Sequence, residues 1–190
     1  MKLRLLTILT AAAAILIGCN DKNGTTPDVI EPDLSGAPEL PADPQPANTS
    51  FSHRIMLLQH TGTGCSNCPR MMTSLKELSQ DKEYNSKYVH VAAHSYNPDD
   101  PCYSTAAKQI SDPFCTAWPE LSFNLSGEKT DGDSAIPTIK QFIDKLHKET
   151  ADVGIAAAAK IMNDGNLGII TEIKTAVEKN YRIAVWLLED

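Results

Sequence analysis

Cys65-Ser66-Asn67-Cys68-Pro69 is the feature that most narrows what this chain can fold into, because it lies between a strand-like run and a helix-like one. Ile55-Met56-Leu57-Leu58 is apolar and of strand length, and Thr61-Gly62-Thr63-Gly64 supplies a flexible turn ahead of the thiols. Met71, Met72, Leu75 and Leu78 then recur at three- and four-residue spacing, which predicts a helix over 69–79 with Pro69 in its first turn. At a helix start, unpaired backbone N–H groups and the dipole favour a thiolate, so Cys65 is placed to be a nucleophile and Cys68 lies one turn on, within bonding reach. Tyr88 to Ala93 reads as a second buried strand, ending at His94 and Ser95.

The irregular stretch from Asn97 to Asp133 predicts a short helix from Ser104 to about Ile110 and another around Phe114 to Trp118. Ala135-Ile136-Pro137-Thr138-Ile139 reads as a proline introducing an apolar strand. In a chain with the cysteine turn, this resembles the cis-proline loop of thioredoxin-like proteins. There the residue before the proline, here Ile136, would offer its backbone to an incoming peptide, with Pro137 aligning it.

The N-terminus carries a targeting pattern. Lys2 and Arg4 precede an apolar stretch from Leu5 to Ile17, too short to span a membrane comfortably, and Leu16-Ile17-Gly18-Cys19 resembles a bacterial lipobox. Cys19 is then the acylated first residue of an exported, lipid-anchored protein, the rival reading being a plain secretory signal that happens to contain a cysteine. Residues 20–52 form a Pro-rich acidic tether: between Asn20 and Ser50 lie six of the twelve prolines, and six acids stand against one Lys. With a net charge of -7 and no Lys/Arg cluster, the chain offers no nucleic-acid surface.

In the tail, Val153, Ile155, Ala157, Ala159 and Ile161 alternate, Asn163-Asp164-Gly165-Asn166 reads as a hairpin turn, and Leu167, Ile169, Thr171 and Ile173 alternate again. Tyr181, Ile183, Val185 and Leu187 predict a third strand, after which the chain stops where a sandwich should continue, as in a truncated product. The rival reading makes 155–162 and 171–179 helices, since Ala, Glu and Lys favour them.

Leu57-Leu58-Gln59-His60-Thr61-Gly62-Thr63-Gly64-Cys65-Ser66-Asn67-Cys68-Pro69, the strand end Ala92-Ala93-His94-Ser95 and the terminal segment from Tyr181 to Asp190 carry a further likeness. Over about residues 53–190 the chain resembles the outer-membrane-protein-related lipoproteins of the twenty-eight-kilodalton type from Gram-negative bacteria. The resemblance implies an α/β chain with a thioredoxin-like domain, 53–150, followed by an incomplete β-sandwich (Ig-like) domain, 151–190, and a role sometimes given as surface binding or adhesion. Proteins with this redox motif usually place a carboxylate six residues before the first cysteine, where this chain has Gln59, and an amide is no general base. Alternation turns His60 to the opposite face.

With Cys19 acylated and Cys65 paired with Cys68, Cys102 and Cys115 remain, and an exported protein is expected to join them in a structural disulfide. A zinc set of all four lacks close ligand spacing in the second pair, and no metal or cofactor is expected. His94 lies at a strand end where it would favour a thiolate or serve as a hydrogen-bonded structural residue, and Asp131-Gly132-Asp133 reads as a turn. Two functions stay open. One is a thiol–disulfide oxidoreductase acting on exported cysteine-containing proteins; the other is an outer-membrane lipoprotein binding an extracellular ligand, facing the periplasm or the surface, with the cysteines as a static clip.

Overall fold

The computed structural model describes residues 36–163, 165–175 and 177–188; the signal segment and Cys19 lie outside them. In chain order the elements are β1 (Phe51–Ser52), β2 (Ile55–Thr61), α1 (Cys68–Gln80), β3 (Tyr88–His94), α2 (Thr105–Ser111), β4 (Glu120–Phe123), α3 (Ile136–His147), β5 (Thr150–Ala151), β6 (Val153–Ile161) and β7 (Leu167–Thr175). The class is mixed α/β, with few helices and several small sheets. Two compact units result: the described residues from 36 to 51 with 151–180, and 52–150 with the described residues from 181 on.

The larger unit is built on a three-stranded sheet in the order β3-β2-β4, with β2 parallel to β3 and antiparallel to β4. Alternation along β2 divides its side chains. Ile55 and Leu57 join Leu121 and Phe123 of β4, Met71, Leu75 and Leu78 of α1, and Ile139, Ile143 and Leu146 of α3 in one core. His60 points the other way and bonds to Ser111 of α2, as the alternation predicts. The helices therefore cover both faces, and Phe123 stacks on Phe142 at 4.7 Å between ring centroids.

α1 forms where the periodicity places it. Cys68, Met71, Leu75 and Leu78 make its buried stripe, Pro69 occupies the first turn where its missing N–H costs nothing, and Met72 falls outside the stripe, 57% exposed. β3 is not buried on both faces: it is an edge of its sheet, and Val89 is 42% exposed.

Three expectations are corrected. Ile136-Pro137 does not introduce a strand but opens α3, because Ile139, Ile143 and Leu146 share one helical face. Asp133 fastens that first turn by accepting from the Ala135 N–H at 2.8 Å and the Thr138 hydroxyl at 2.6 Å. No helix forms at 114–118, where the Thr116 N–H goes instead to the Glu120 carboxylate. Residues 181–188 form no strand, and Ile183, Val185 and Leu187 stay exposed, because alternation makes a strand only where a neighbour takes up its backbone groups.

The smaller unit holds the predicted hairpin, β6 antiparallel to β7 in register from Val153↔Thr175 to Ile161↔Leu167, so the helical alternative falls. The turn is closed by the Met162 N–H on the Asn166 carbonyl, with Gly165 at φ 83° as the left-handed turn requires. The end of the Pro-rich segment is not a free spacer. Lys174 reaches both the Asp43 carboxylate, at 2.9 Å, and the Gln45 carbonyl. Gly154 leaves room for the Phe51 ring, which an added Cβ would meet at 2.6 Å.

Candidate functional site

Cys65 and Cys68 are joined as a disulfide with 5.4 Å between Cα atoms, at the point where the turn after β2 enters α1. The turn is held by the Cys65 N–H on the Gly62 carbonyl and the Cys68 N–H on the Cys65 carbonyl. Cys65 is the outer residue, 8% exposed, against 2% for Cys68. No acidic residue stands in the first turn of α1, and Asn67 at its N-cap makes no side-chain cap, so the positive end of the helix is left for whatever charge forms on sulfur.

Beside this turn, Asn67 and Arg70 line a shallow groove of about 250 Å³ together with Trp118, Pro119, Gly132 and Ser134. The Trp118-Pro119 peptide is cis and leads directly into β4. The proline that lines this groove with the cysteine helix is Pro119. Sequence reading passed it over because 114–118 was read as a short helix, whereas Ile136-Pro137 was read as introducing an apolar strand. The indole N–H of Trp118 reaches the Ser95 hydroxyl at 3.4 Å, and Tyr96 meets the indole edge-on at 5.5 Å.

Behind the groove the polar side chains are buried and mutually satisfied. His60 is joined to Ser111 at 2.5 Å and to Ser122 at 2.9 Å, and Ser111 to Ser95 at 2.9 Å. Burial pushes the His60 imidazole down to about 4, against the pull of Glu120 and with the help of Lys129. Glu120 is fully buried next to Pro119, its carboxylate held by the Thr116 N–H at 2.8 Å and by Lys129 at 3.2 Å. Gln59, on the α1 side of the sheet, places its carbonyl oxygen 3.0 Å from the His90 ring nitrogen. Its amide nitrogen has no partner among the described residues. His90 is exposed as a residue, and desolvation of its ring against the sheet lowers its pKa.

No protein-family profile matches the chain, and no curated protein does. Among solved structures it is similar to a structural-genomics protein from Agrobacterium tumefaciens at 17% identity and a TM-score of 0.46, over 60% of this chain and 54% of that one. The chain thus spans about half the length of that protein.

Cys102 and Cys115 are not bridged; both are free thiols, contrary to the expected structural disulfide. Each has found another setting. Cys115, half-buried after α2, donates to the Ala117 carbonyl at 3.2 Å, and burial beside Glu120 pushes its thiol up to about 11. Cys102 is exposed and stands with His94 and Asp100, their ligand atoms all within 4.8 Å of one another. Asp100 accepts from the Thr63 N–H at 2.6 Å and the Cys102 N–H at 2.9 Å, and lies 2.8 Å from the His94 ring. Burial would raise the Asp100 carboxyl, but these contacts outweigh it and hold it at about 2. Sequence reading missed Asp100, whose only signal was its place between the strand-end His94 and Cys102. Among the described residues, no helix is long and apolar enough to cross a membrane.

Proposed function

We propose that the chain is a thioredoxin-like thiol–disulfide oxidoreductase of the bacterial cell envelope, anchored at the outer membrane through lipid on Cys19. The observation that carries the reading is the Cys65–Cys68 pair at the uncompensated start of α1, with Cys65 outermost, beside the groove walled by Trp118 and Pro119. The order of β2, α1, parallel β3, antiparallel β4 and α3 supports the thioredoxin-like assignment, because that succession puts a motif between β2 and α1 at one end of the sheet. The likeness to the twenty-eight-kilodalton type of lipoprotein and the Ig-like reading of the tail belong to the same proposal.

In the oxidising direction, a substrate thiolate attacks the sulfur of Cys65, the less buried of the two, forming a mixed disulfide and releasing the Cys68 thiolate, which takes up a proton. A second substrate thiol, losing its proton, then attacks the substrate sulfur and expels Cys65 as thiolate. Two electrons pass to the pair, and the substrate gains one disulfide. The reducing direction is the reverse. Trp118 takes the place expected of Ile136 in offering backbone to the substrate.

A second reading rests on Gln59. Its amide cannot relay a proton to the thiols, which favours a static clip in a surface-binding lipoprotein. Equilibration with glutathione buffers separates the two. The exchange reading expects a potential above the ~−300 mV that bounds structural bridges, and a Cys68→Ser variant that accumulates mixed disulfides with exported proteins. A pair that stays oxidised throughout, with no trapped partner, sinks it and leaves the clip.

A further inference from the structure

We propose that His94, Asp100 and Cys102 form a binding site for a thiophilic divalent metal ion of the zinc class. An imidazole nitrogen, a carboxylate oxygen and a sulfur converge here with their ligand atoms within 4.8 Å of one another. Zinc holds such donors at ~2.0–2.3 Å, so small side-chain rotations bring all three onto one centre.

The chain prepares this convergence. His94 ends β3, and the following loop turns back on itself, with the Asp100 N–H on the Asn97 carbonyl and the Tyr103 N–H on the Asp100 carbonyl. The Thr63 N–H clamps the Asp100 carboxylate from the cysteine turn, and the Cys102 N–H clamps it from within the loop. His94 Nδ1 already faces the Asp100 carboxylate at 2.8 Å, so an ion entering between them takes the place of that hydrogen bond. Asp100 also supplies a negative charge that the side chain keeps fully out of solvent, whereas His94 is 27% exposed and Cys102 is open.

The donor set selects the ion. One sulfur, one imidazole and a single carboxylate suit a borderline-soft cation and are too poor in oxygen for calcium or magnesium. On binding, the Cys102 thiol gives its proton to solvent, and thiolate and carboxylate together balance the double charge. Three protein donors at a surface leave a fourth position open, as in zinc sites that meet ligands rather than in closed structural ones.

Among the described residues, the buried titratable groups near the groove are already engaged. The Glu120 carboxylate is taken by Thr116 and Lys129, Cys115 donates to Ala117, and both His60 nitrogens are engaged by serines. The proposal does not depend on the exchange reaction, and it is tested with the Cys65–Cys68 disulfide left intact so that this pair cannot chelate.

The experiment adds Co²⁺ to the oxidised full-length chain and follows the sulfur-to-cobalt charge-transfer band and the tetrahedral d–d bands, with Zn²⁺ as displacer. One equivalent of cobalt should produce both bands, and Zn²⁺ should abolish them. Cys102→Ala, a change at an exposed side chain, should remove the charge-transfer band while leaving the far-ultraviolet circular dichroism unchanged. His94→Gln, which removes a ligand, should weaken binding by at least the ~10–100-fold that loss of an outer-shell partner costs. Absence of the bands in the unaltered protein, or their persistence at full intensity in Cys102→Ala, overturns the site.

Discussion

His60 ties the interior to solution pH. Its ring sits between Ser111 and Ser122 and burial holds it near 4, whereas an unfolded histidine titrates near ~6.5. Between those values the unfolded chain binds the proton that the folded chain refuses. Stability is therefore full above about pH 6.5 and falls as pH drops toward 4, by on the order of 3 kcal/mol. Urea midpoints across that window should show the slope, and His60→Gln should flatten it; an unchanged slope would assign the acid sensitivity elsewhere. Gln59 gives a contrasting expectation. Since its amide nitrogen has no partner among the described residues and only the single bond to His90 is given up, Gln59→Leu should change stability by no more than ~1 kcal/mol, and a loss above ~2 kcal/mol in chemical denaturation would overturn that expectation. The opposite facing of these two residues was legible from strand alternation, which has a fixed period. The meeting of His94, Asp100 and Cys102 was not, because a loop that folds back on itself obeys no period.

Among the elements, β2 and α1 could be read because both signals agreed: an apolar run, then glycines, then a stripe at helical spacing with a proline where helices tolerate one. α3 was misread because Pro137 stands at a position that suits either a strand entry or a first helical turn, and the deciding contacts come from Asp133, outside the apolar run. β4 is only four residues long and entirely buried, and nothing in so short a stretch announces a central packing role. Its weight is in Phe123, fully buried and stacked on Phe142 between the sheet and α3. Phe123→Ala should cost ~3–5 kcal/mol, read from the denaturation midpoint at unchanged slope. In the hairpin, Gly154→Ala should drive a methyl into the Phe51 ring and destabilise by ~1–3 kcal/mol, which amide exchange along β6 and β7 would register.

At the scale of the molecule, the two units differ in how they are held. The larger one closes helices over both faces of its sheet around a shared core, whereas the smaller one rests on a two-stranded hairpin with Ile155 68% and Ile161 74% exposed. A hairpin of this kind is marginal by itself. Hydrogen exchange should therefore find β6 and β7 opening at lower free energy than β2 and α1, and equal protection in both would refute the division. The contacts divide the chain at residue 151, but the return of 36–51 to the hairpin was not legible, since a Pro-rich acidic stretch shows no face. The unequal fates of the two unbridged thiols give experimenters a tool. A maleimide dye applied near neutrality finds Cys102 at the surface and passes over the protonated, half-sheltered Cys115, so of these two sulfurs one accepts the fluorophore without mutagenesis. Its emission would then follow the melting of the larger unit, the one that carries Cys102.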